Sequence, residues 1–322
     1  MRAVRVAEFG PPEVMRVEYV PHPEPGEGEV LVDVAAAGVQ FVETLVRAGK
    51  SAHVPRPYTP GRDVAGVVSA VGPGVEPGLV GRRVAGQTER TGGYAERAVV
   101  NRRALHVLPD SLSLHDAVRL LGQGLTAVGL LDLAAVREGR TVLVEAAAGG
   151  VGSLLVQLAK VAGAKVIGAA RGDHKLEIVR KLGADAAVDY GVPGWGDLVR
   201  QAAGTDGVDV VLDSVGGDVG REAMETLAPG GRFIVYGIAS GRGTEIPGGL
   251  VYGRGLTVLG YGRSTPGVDP SRFRAQQNRA LEEAAIGRIA PVIGQCFALE
   301  DAPLAHAALA GRETVGKVLL IP

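Results

Sequence analysis

The chain has 322 residues, enough to bury one or two sizeable cores, and 46% hydrophobic against 21% charged residues exclude a disordered polypeptide. Its 34 basic and 35 acidic residues leave a formal net charge of -1 without any lysine- or arginine-rich run, which argues against a nucleic-acid partner. The single cysteine, Cys296, excludes an intramolecular disulfide and a thiolate-cluster zinc site.

The opening MRAVRVAEFG alternates like a strand and lacks the apolar segment of a signal peptide. No apolar run approaches the ~20 residues of a membrane span. A soluble cytoplasmic protein with no membrane partner is expected. From residue 1 to about 120, Val-rich alternating runs such as EVLVDVAAAGV and DVAGVVSAVG lie between Gly and Pro punctuation, the pattern of a mostly antiparallel, barrel-like domain. Near Ser113 the rhythm becomes helical, with an expected break at Gly122–Gly124.

A regular alternation follows. Strand Thr141–Ala146 leads to helix Val151–Ala162, strand Lys165–Ala170 to helix Asp173–Leu182, strand Ala186–Tyr190 to helix Gly196–Ala203, and strand Val208–Ser214 to helix Gly220–Leu227. The strands RFIVYG and LTVLGY complete a set of six. Crossover helices make such strands parallel, and coverage on both faces explains their apolar character. The fold class is therefore α/β, a β-rich domain plus a doubly wound six-stranded parallel Rossmann domain. The segments after Tyr261 return to the first domain, so the expected division is 1–122 with 262–322, and 123–261. Within the last segment Cys296 sits in an apolar strand pattern and reads as a buried small hydrophobe.

The chemistry concentrates at EAAAGGVG, between the first strand of that series and its helix. Gly149 and Gly150 let backbone N–H groups approach a pyrophosphate, Gly152 lets the helix lie close to its strand, and the helix N-terminus attracts anions. Ala147 replaces the first glycine of G-x-G-x-x-G and fits if its φ stays negative. At the end of the second strand, where NAD-binding folds carry an acid, stand Arg171 and, one turn on, Lys175. Two cations suit a 2′-phosphate, so NADPH is the expected cofactor. Asp173 lies past the strand end and reads as the N-cap of the next helix.

In order along the chain, PGEGEVLVDVAAAGV, YTPGRDVAGVVSAVG, AAAGGVGSLLVQLAK, LGADAAVDY, VDVVLDSVGG and GKVLLIP resemble the zinc-independent quinone oxidoreductases, the ζ-crystallin-like branch of the medium-chain dehydrogenase/reductase superfamily. The resemblance implies a GroES-like substrate domain with an inserted Rossmann domain. It places Gly149, Gly150 and Val151 on the pyrophosphate, Lys175 and Tyr190 beside the 2′-phosphate, and Ser214, Val215, Gly237 and Ile238 along the strand ends. Thr126 and Gln40 fall near the nicotinamide, and Arg312 is a further cofactor contact. The metal ligands of zinc-dependent relatives fall on Gln40, on Arg62 and Asp63, and on Gly122 or Gln123, none of which preserves a ligand, so no metal is expected. The histidines His22, His53, His106, His115, His174 and His306 form no ligand spacing.

The resemblance thus implies an NADPH-dependent reductase of a small-molecule quinone or similar conjugated carbonyl. No catalytic acid stands out; Gln40 and Gln123 are candidate donors on the substrate side. An enoyl or 2-alkenal reductase on the same scaffold is the alternative, and a non-catalytic NADPH-binding protein a further one. Leu45 stands where relatives carry a tyrosine, which weakens the enoyl alternative. A homodimer through the edge strand Leu256–Tyr261 is also implied, since an apolar edge left open invites aggregation.

Overall fold

The computed structural model describes residues 1–51, 54–204, 206–262 and 271–322; His53 lies outside them. In chain order the elements are β1 (Arg2–Val6), β2 (Met15–Tyr19), β3 (Glu29–Gly38), α1 (Phe41–Arg47), β4 (Asp63–Val71), β5 (Arg83–Gln87), β6 (Arg97–Asn101), β7 (Leu105–Val107) and α2 (Leu114–Ala134). Then come β8 (Thr141–Val144), α3 (Gly150–Val161), β9 (Lys165–Ala170), α4 (Asp173–Lys181), β10 (Ala186–Asp189), α5 (Trp195–Ala203), β11 (Val208–Asp213) and α6 (Gly217–Glu225). The chain ends with β12 (Leu227–Val235), α7 (Gly248–Arg254), β13 (Thr257–Gly260), α8 (Ser271–Ala285), β14 (Ile293–Ala298), α9 (Ala302–Ala310) and β15 (Lys317–Ile321). These residues form two compact units, Met1–Gly122 with Gln277–Pro322, and Gln123–Gln276.

The first unit draws one sheet from both ends of the chain, in the order β14-β15-β3-β4-β5-β7, with β6 also on β3. The C-terminal β15 pairs antiparallel with β3, Leu319 opposite Gly38 and Leu320 opposite Ala37. Ten-residue β3 is buried over most of its length because it has neighbours on both edges and core on its inner face. Val4, Val32, Val64, Val84, Val100 and Leu320 pack in that core. Cys296 departs from expectation. It lies on β14, at the edge of the sheet, with its side chain exposed. An edge strand has an outer face even when its sequence is apolar, and Gln295 and Cys296 are both exposed where the β14 pairing shifts register.

In the second unit six strands run parallel in the order β10-β9-β8-β11-β12-β13. Order reverses between β8 and β11, the switch point at whose carboxyl side such sheets bind ligands. β8 is buried at every position, and Trp195, Val199, Met224 and Phe233 fill one of the cores against the sheet. The short helix α7 was not legible in the sequence. It provides the crossover that makes β13 parallel to β12.

The expected break at Gly122–Gly124 is absent, because α2 runs unbroken for 21 residues. Glycine in a helix costs only about 1 kcal/mol, and the fully buried Leu120, Leu121, Leu125 and Leu130 on the same helix outweigh it. This helix is long and apolar enough to cross a membrane by length and composition alone, but 72% of its apolar window is buried in the protein. Its apolarity serves the core.

Candidate functional site

The loop after β8 is built by a close approach of backbone to backbone. Ala147 keeps a negative φ, and the left-handed residue is its neighbour Ala146, at φ 46°. That conformation costs an alanine about 1 kcal/mol, and it turns the Ala146 carbonyl to accept the Gly149 N–H at 2.8 Å. A Cβ on Gly152 would stand 2.3 Å from the same carbonyl oxygen and 2.9 Å from Ala147 Cα, so only glycine allows α3 to lie on this turn. Gly149 is the N-cap, and the first helical turn leaves the N–H groups of Gly150, Val151 and Gly152 directed out of the helix end.

Gln123 on α2 belongs to this loop. A Cβ on Gly150 would come within 2.1 Å of Gln123 Nε2, so the amide lies directly over the helix start. Thr126, three residues on, shares the same face of α2. At the far strand ends, Gly237 abuts Ser214, whose carbonyl oxygen would be 2.7 Å from a Cβ there, and Ile238 is exposed beside it. Ser214 and Val215 are fixed by two buried carboxyls that sequence reasoning missed. The Val215 N–H is shared between Glu145 Oε2 at 3.1 Å and Asp213 Oδ1 at 3.0 Å, and the Thr244 hydroxyl donates to Asp213 Oδ2 at 2.5 Å. Burial, then the neighbouring Asp213 charge, push the Glu145 carboxyl well above the usual range. Glu145 is therefore held as the acid, a strut between β8 and β11.

After β9 the structure brings Arg171 and Tyr190 together, the guanidinium carbon 5.9 Å from the ring centroid, with Lys175 in the first turn of α4. The N-cap of α4 is Gly172, at φ 83°, and Asp173 is the first helical residue, a correction to the capping role expected of it. Gly172 has a left-handed φ that aspartate would not adopt cheaply, and Asp173 instead meets the positive helix end. The one acid at the adjacent strand end, Asp189, has both oxygens engaged, by the Gly172 N–H at 3.0 Å and the Gly191 N–H at 2.6 Å. Asp189 clamps the two loops that carry Arg171 and Tyr190.

Gln40 and Arg312 belong to the first unit. Arg312 follows α9 with a positive φ of 59° and an exposed side chain. Gln40 precedes α1, its N–H donating to Glu43 at 2.7 Å, and its amide Nε2 donates to Asp63 Oδ2 at 2.9 Å. Asp63 also receives the Lys317 ammonium on Oδ2 at 2.8 Å and the Gln87 amide on Oδ1 at 2.6 Å. Lys317 and Asp63 are 1% and 0% exposed. Burial works to raise the Asp63 carboxyl, but Lys317 and the three hydrogen bonds outweigh it and hold its pKa below the ordinary value. Gln40, Asp63 and Gly122, three of the positions compared above with the ligands of zinc-dependent relatives, thus lie together, and the Asp63 charge is met by an internal ammonium. No group of three or more metal-binding side chains exists among the described residues.

A second buried chain lies next to it. The Tyr94 hydroxyl donates to Glu43 Oε2 at 2.6 Å and meets His306 Nε2 at 3.1 Å. Burial pushes Glu43 up to about 7 and His306 down to about 3. No linear signal marks these groups, because their partners are 51 and 212 residues apart in sequence.

The family described as alcohol dehydrogenase GroES-like domain matches residues 26–110, and that described as zinc-binding dehydrogenase matches residues 150–280. The chain is 35% identical to a quinone oxidoreductase of Rattus norvegicus over 95% of its length and 93% of the relative's. It is 33% identical to a 2-haloacrylate reductase of a Burkholderia species, over 99% and 98% respectively. Among solved structures it is similar to the Escherichia coli quinone oxidoreductase complexed with NADPH, with a TM-score of 0.91, 29% identity and full coverage of both chains. The chain belongs to the quinone oxidoreductase branch of the medium-chain dehydrogenase/reductase superfamily. It is an oxidoreductase with the GroES-like and Rossmann domains of that superfamily.

Two outcomes follow from this geometry. Gly152→Ala forces backbone against backbone and should cost about 1–3 kcal/mol of stability, whereas Gly150→Ala displaces only the Gln123 amide and should melt near the wild type; equal melting temperatures for all three proteins would contradict the close approach. Glu43 has a folded pKa above its unfolded value, so the stability it confers is complete below about pH 4.5 and lost as pH rises through about 7. Thermal melts of Glu43→Gln against wild type should show the variant gaining relative stability across that window and no further above it; a difference independent of pH would refute the buried acid.

Proposed function

We propose that the chain is an NADPH-dependent reductase of quinones or similar conjugated carbonyls that works without a metal. The observation that carries this reading is the state of Asp63: its oxygens are taken by Lys317, Gln87 and Gln40, and a cation beside the Lys317 ammonium would be repelled. The acceptor must then be electron-poor enough to take hydride without a Lewis acid. Similarity to NADPH complexes of quinone oxidoreductases supports the cofactor, and so does the fit of the loop. Gly149, Gly150 and Val151 offer N–H groups to the pyrophosphate, Gly152 keeps the helix start close, and Arg171, Lys175 and Tyr190 meet the 2′-phosphate. Asp189 is turned to the Gly172 and Gly191 N–H groups, one on each oxygen.

When bound, NADPH supplies the hydride. The residues of the chain position and polarise. The Glu145–Asp213 pair holds Val215 and its neighbour Ser214 at the strand ends, and Gln40 donates a hydrogen bond to the acceptor's carbonyl oxygen as charge builds there. The proton that completes the reduction comes from solvent, since a hydroquinone anion is a modest base.

The alternative, reduction of an activated carbon–carbon double bond, is favoured by the similarity to the 2-haloacrylate reductase. Leu45, where a tyrosine would serve as proton donor, weighs against it. NADPH oxidation should be faster with 1,4-benzoquinone or 9,10-phenanthrenequinone than with trans-2-hexenal; preference for the alkenal would overturn the quinone reading. Replacing Arg171 and Lys175 by Ala should weaken NADPH binding about tenfold or more and leave NADH unchanged, each lost charge-assisted contact being worth roughly 1.5–3 kcal/mol; equal weakening of both nucleotides would contradict the 2′-phosphate contact.

A further inference from the structure

The Gln40 amide is not held by a neutral partner. Its Nε2 faces a carboxylate that is itself locked on three sides, by Gln40, Gln87 and Lys317. A carboxylate only accepts hydrogen bonds, so it selects the nitrogen end of the amide and prevents the flipped orientation. Two glycines make room for the arrangement. A Cβ on Gly38 would fall 2.6 Å from Lys317 Cε, and one on Gly122 would fall 3.2 Å from both Asp63 Oδ2 and Gln40 Nε2. A buried ion pair of this kind is poor value for stability alone, because apolar residues of similar volume usually do as well or better. Its residues therefore invite a role in chemistry.

We propose that Asp63 and Lys317 are positioning residues for the reduction: by taking one N–H of the Gln40 amide, the pair fixes the other N–H as the donor to the acceptor's carbonyl oxygen. The inference rests on the reductase reading above. It assigns the Asp63–Lys317 pair a task that does not need a metal, which is to hold one neutral donor in a single orientation. Hydride addition places negative charge on the acceptor oxygen. A donor already oriented toward that charge needs no reorganisation during the step.

The test uses the pH dependence of turnover. The charged or titratable groups that act on Asp63 are Lys317 on β15, Glu43 on α1, and Tyr94 in the segment before β6; Gln40 and Gln87 are neutral. Lys317→Met leaves the Asp63 carboxyl buried without its counter-charge, so burial raises it and the acid form can donate to the amide oxygen, turning Gln40 around. Turnover of 1,4-benzoquinone by this variant should fall about tenfold near pH 6, the worth of one aligned hydrogen bond, and recover as pH rises. Its NADPH affinity, read by fluorescence titration, and its KM for the quinone should stay near those of the wild type. Lys317→Arg should restore the wild-type profile. Lys317→Met with Asp63→Asn should be slow at every pH, which assigns the new limb to Asp63 and not to Glu43.

A Lys317→Met profile parallel to that of the wild type would overturn the proposal. If that variant does not fold, the charge-neutral double variant carries the test: slow turnover with intact NADPH affinity supports the proposal, and wild-type turnover overturns it. A wild type that oxidises NADPH with trans-2-hexenal and not with the quinone overturns the quinone reading alone, and the same series is then read on the alkenal. A wild type that turns over neither acceptor overturns both.

Discussion

An ammonium and a carboxylate buried together at 2.8 Å, Lys317 on the last strand and Asp63 on β4, set what the first unit can be. Neither charge survives burial alone, since leaving one unpaired costs about 3–5 kcal/mol, so the C-terminal strand must return to the sheet that holds β4. The pairing of β15 with β3 follows from that return, and with it the closure of the core that contains Leu320. The same pair decides the chemistry of the region. Asp63 accepts from three donors, the Lys317 ammonium among them, and the amide of Gln40 is held by it.

The second unit depends on a different economy, the near-contact of α3 with the turn after β8. Ala146 takes the left-handed conformation, its carbonyl accepts the Gly149 N–H, and Gly152 lacks the Cβ that would strike that carbonyl. The strain at one alanine is modest and the reward is geometric: a helix end whose first N–H groups are open to an anion. Beside it the Glu145–Asp213 pair stiffens the strand ends, and Asp189 holds the loops that carry Arg171 and Tyr190. Each buttress is an acid met by backbone N–H groups, with the Thr244 hydroxyl also on Asp213.

Much of this was legible in the order of residues. Strand-to-helix alternation from Thr141 onward marked the parallel sheet because its period is local, and β9 fell at Lys165–Ala170 as read from the sequence. Arg171, Lys175 and the glycines of the loop could be singled out in the sequence because charge and a missing side chain are local properties. Other features were hidden for physical reasons. The glycines at 122 and 124 suggest a break until the burial of α2 is known, and α7, seven residues with three glycines, is too short and too glycine-rich to declare itself. Cys296 has strand neighbours in sequence, but only the sheet order shows that β14 is an edge. Asp63 and Lys317, 254 residues apart, carry no linear signal at all, nor do Glu43, Tyr94 and His306. Charge networks are properties of the packed chain.

Together the two units describe a reductase whose hydride chemistry belongs to the cofactor and whose own contribution is orientation and charge. The reductase proposed above needs no metal beside the Asp63–Lys317 pair. The direct measurement is quinone-dependent NADPH oxidation by protein stripped with a strong chelator, its metal content checked by elemental analysis. The rate of the stripped protein is expected to be unchanged. Loss of the rate on stripping, with recovery on adding zinc, would contradict it.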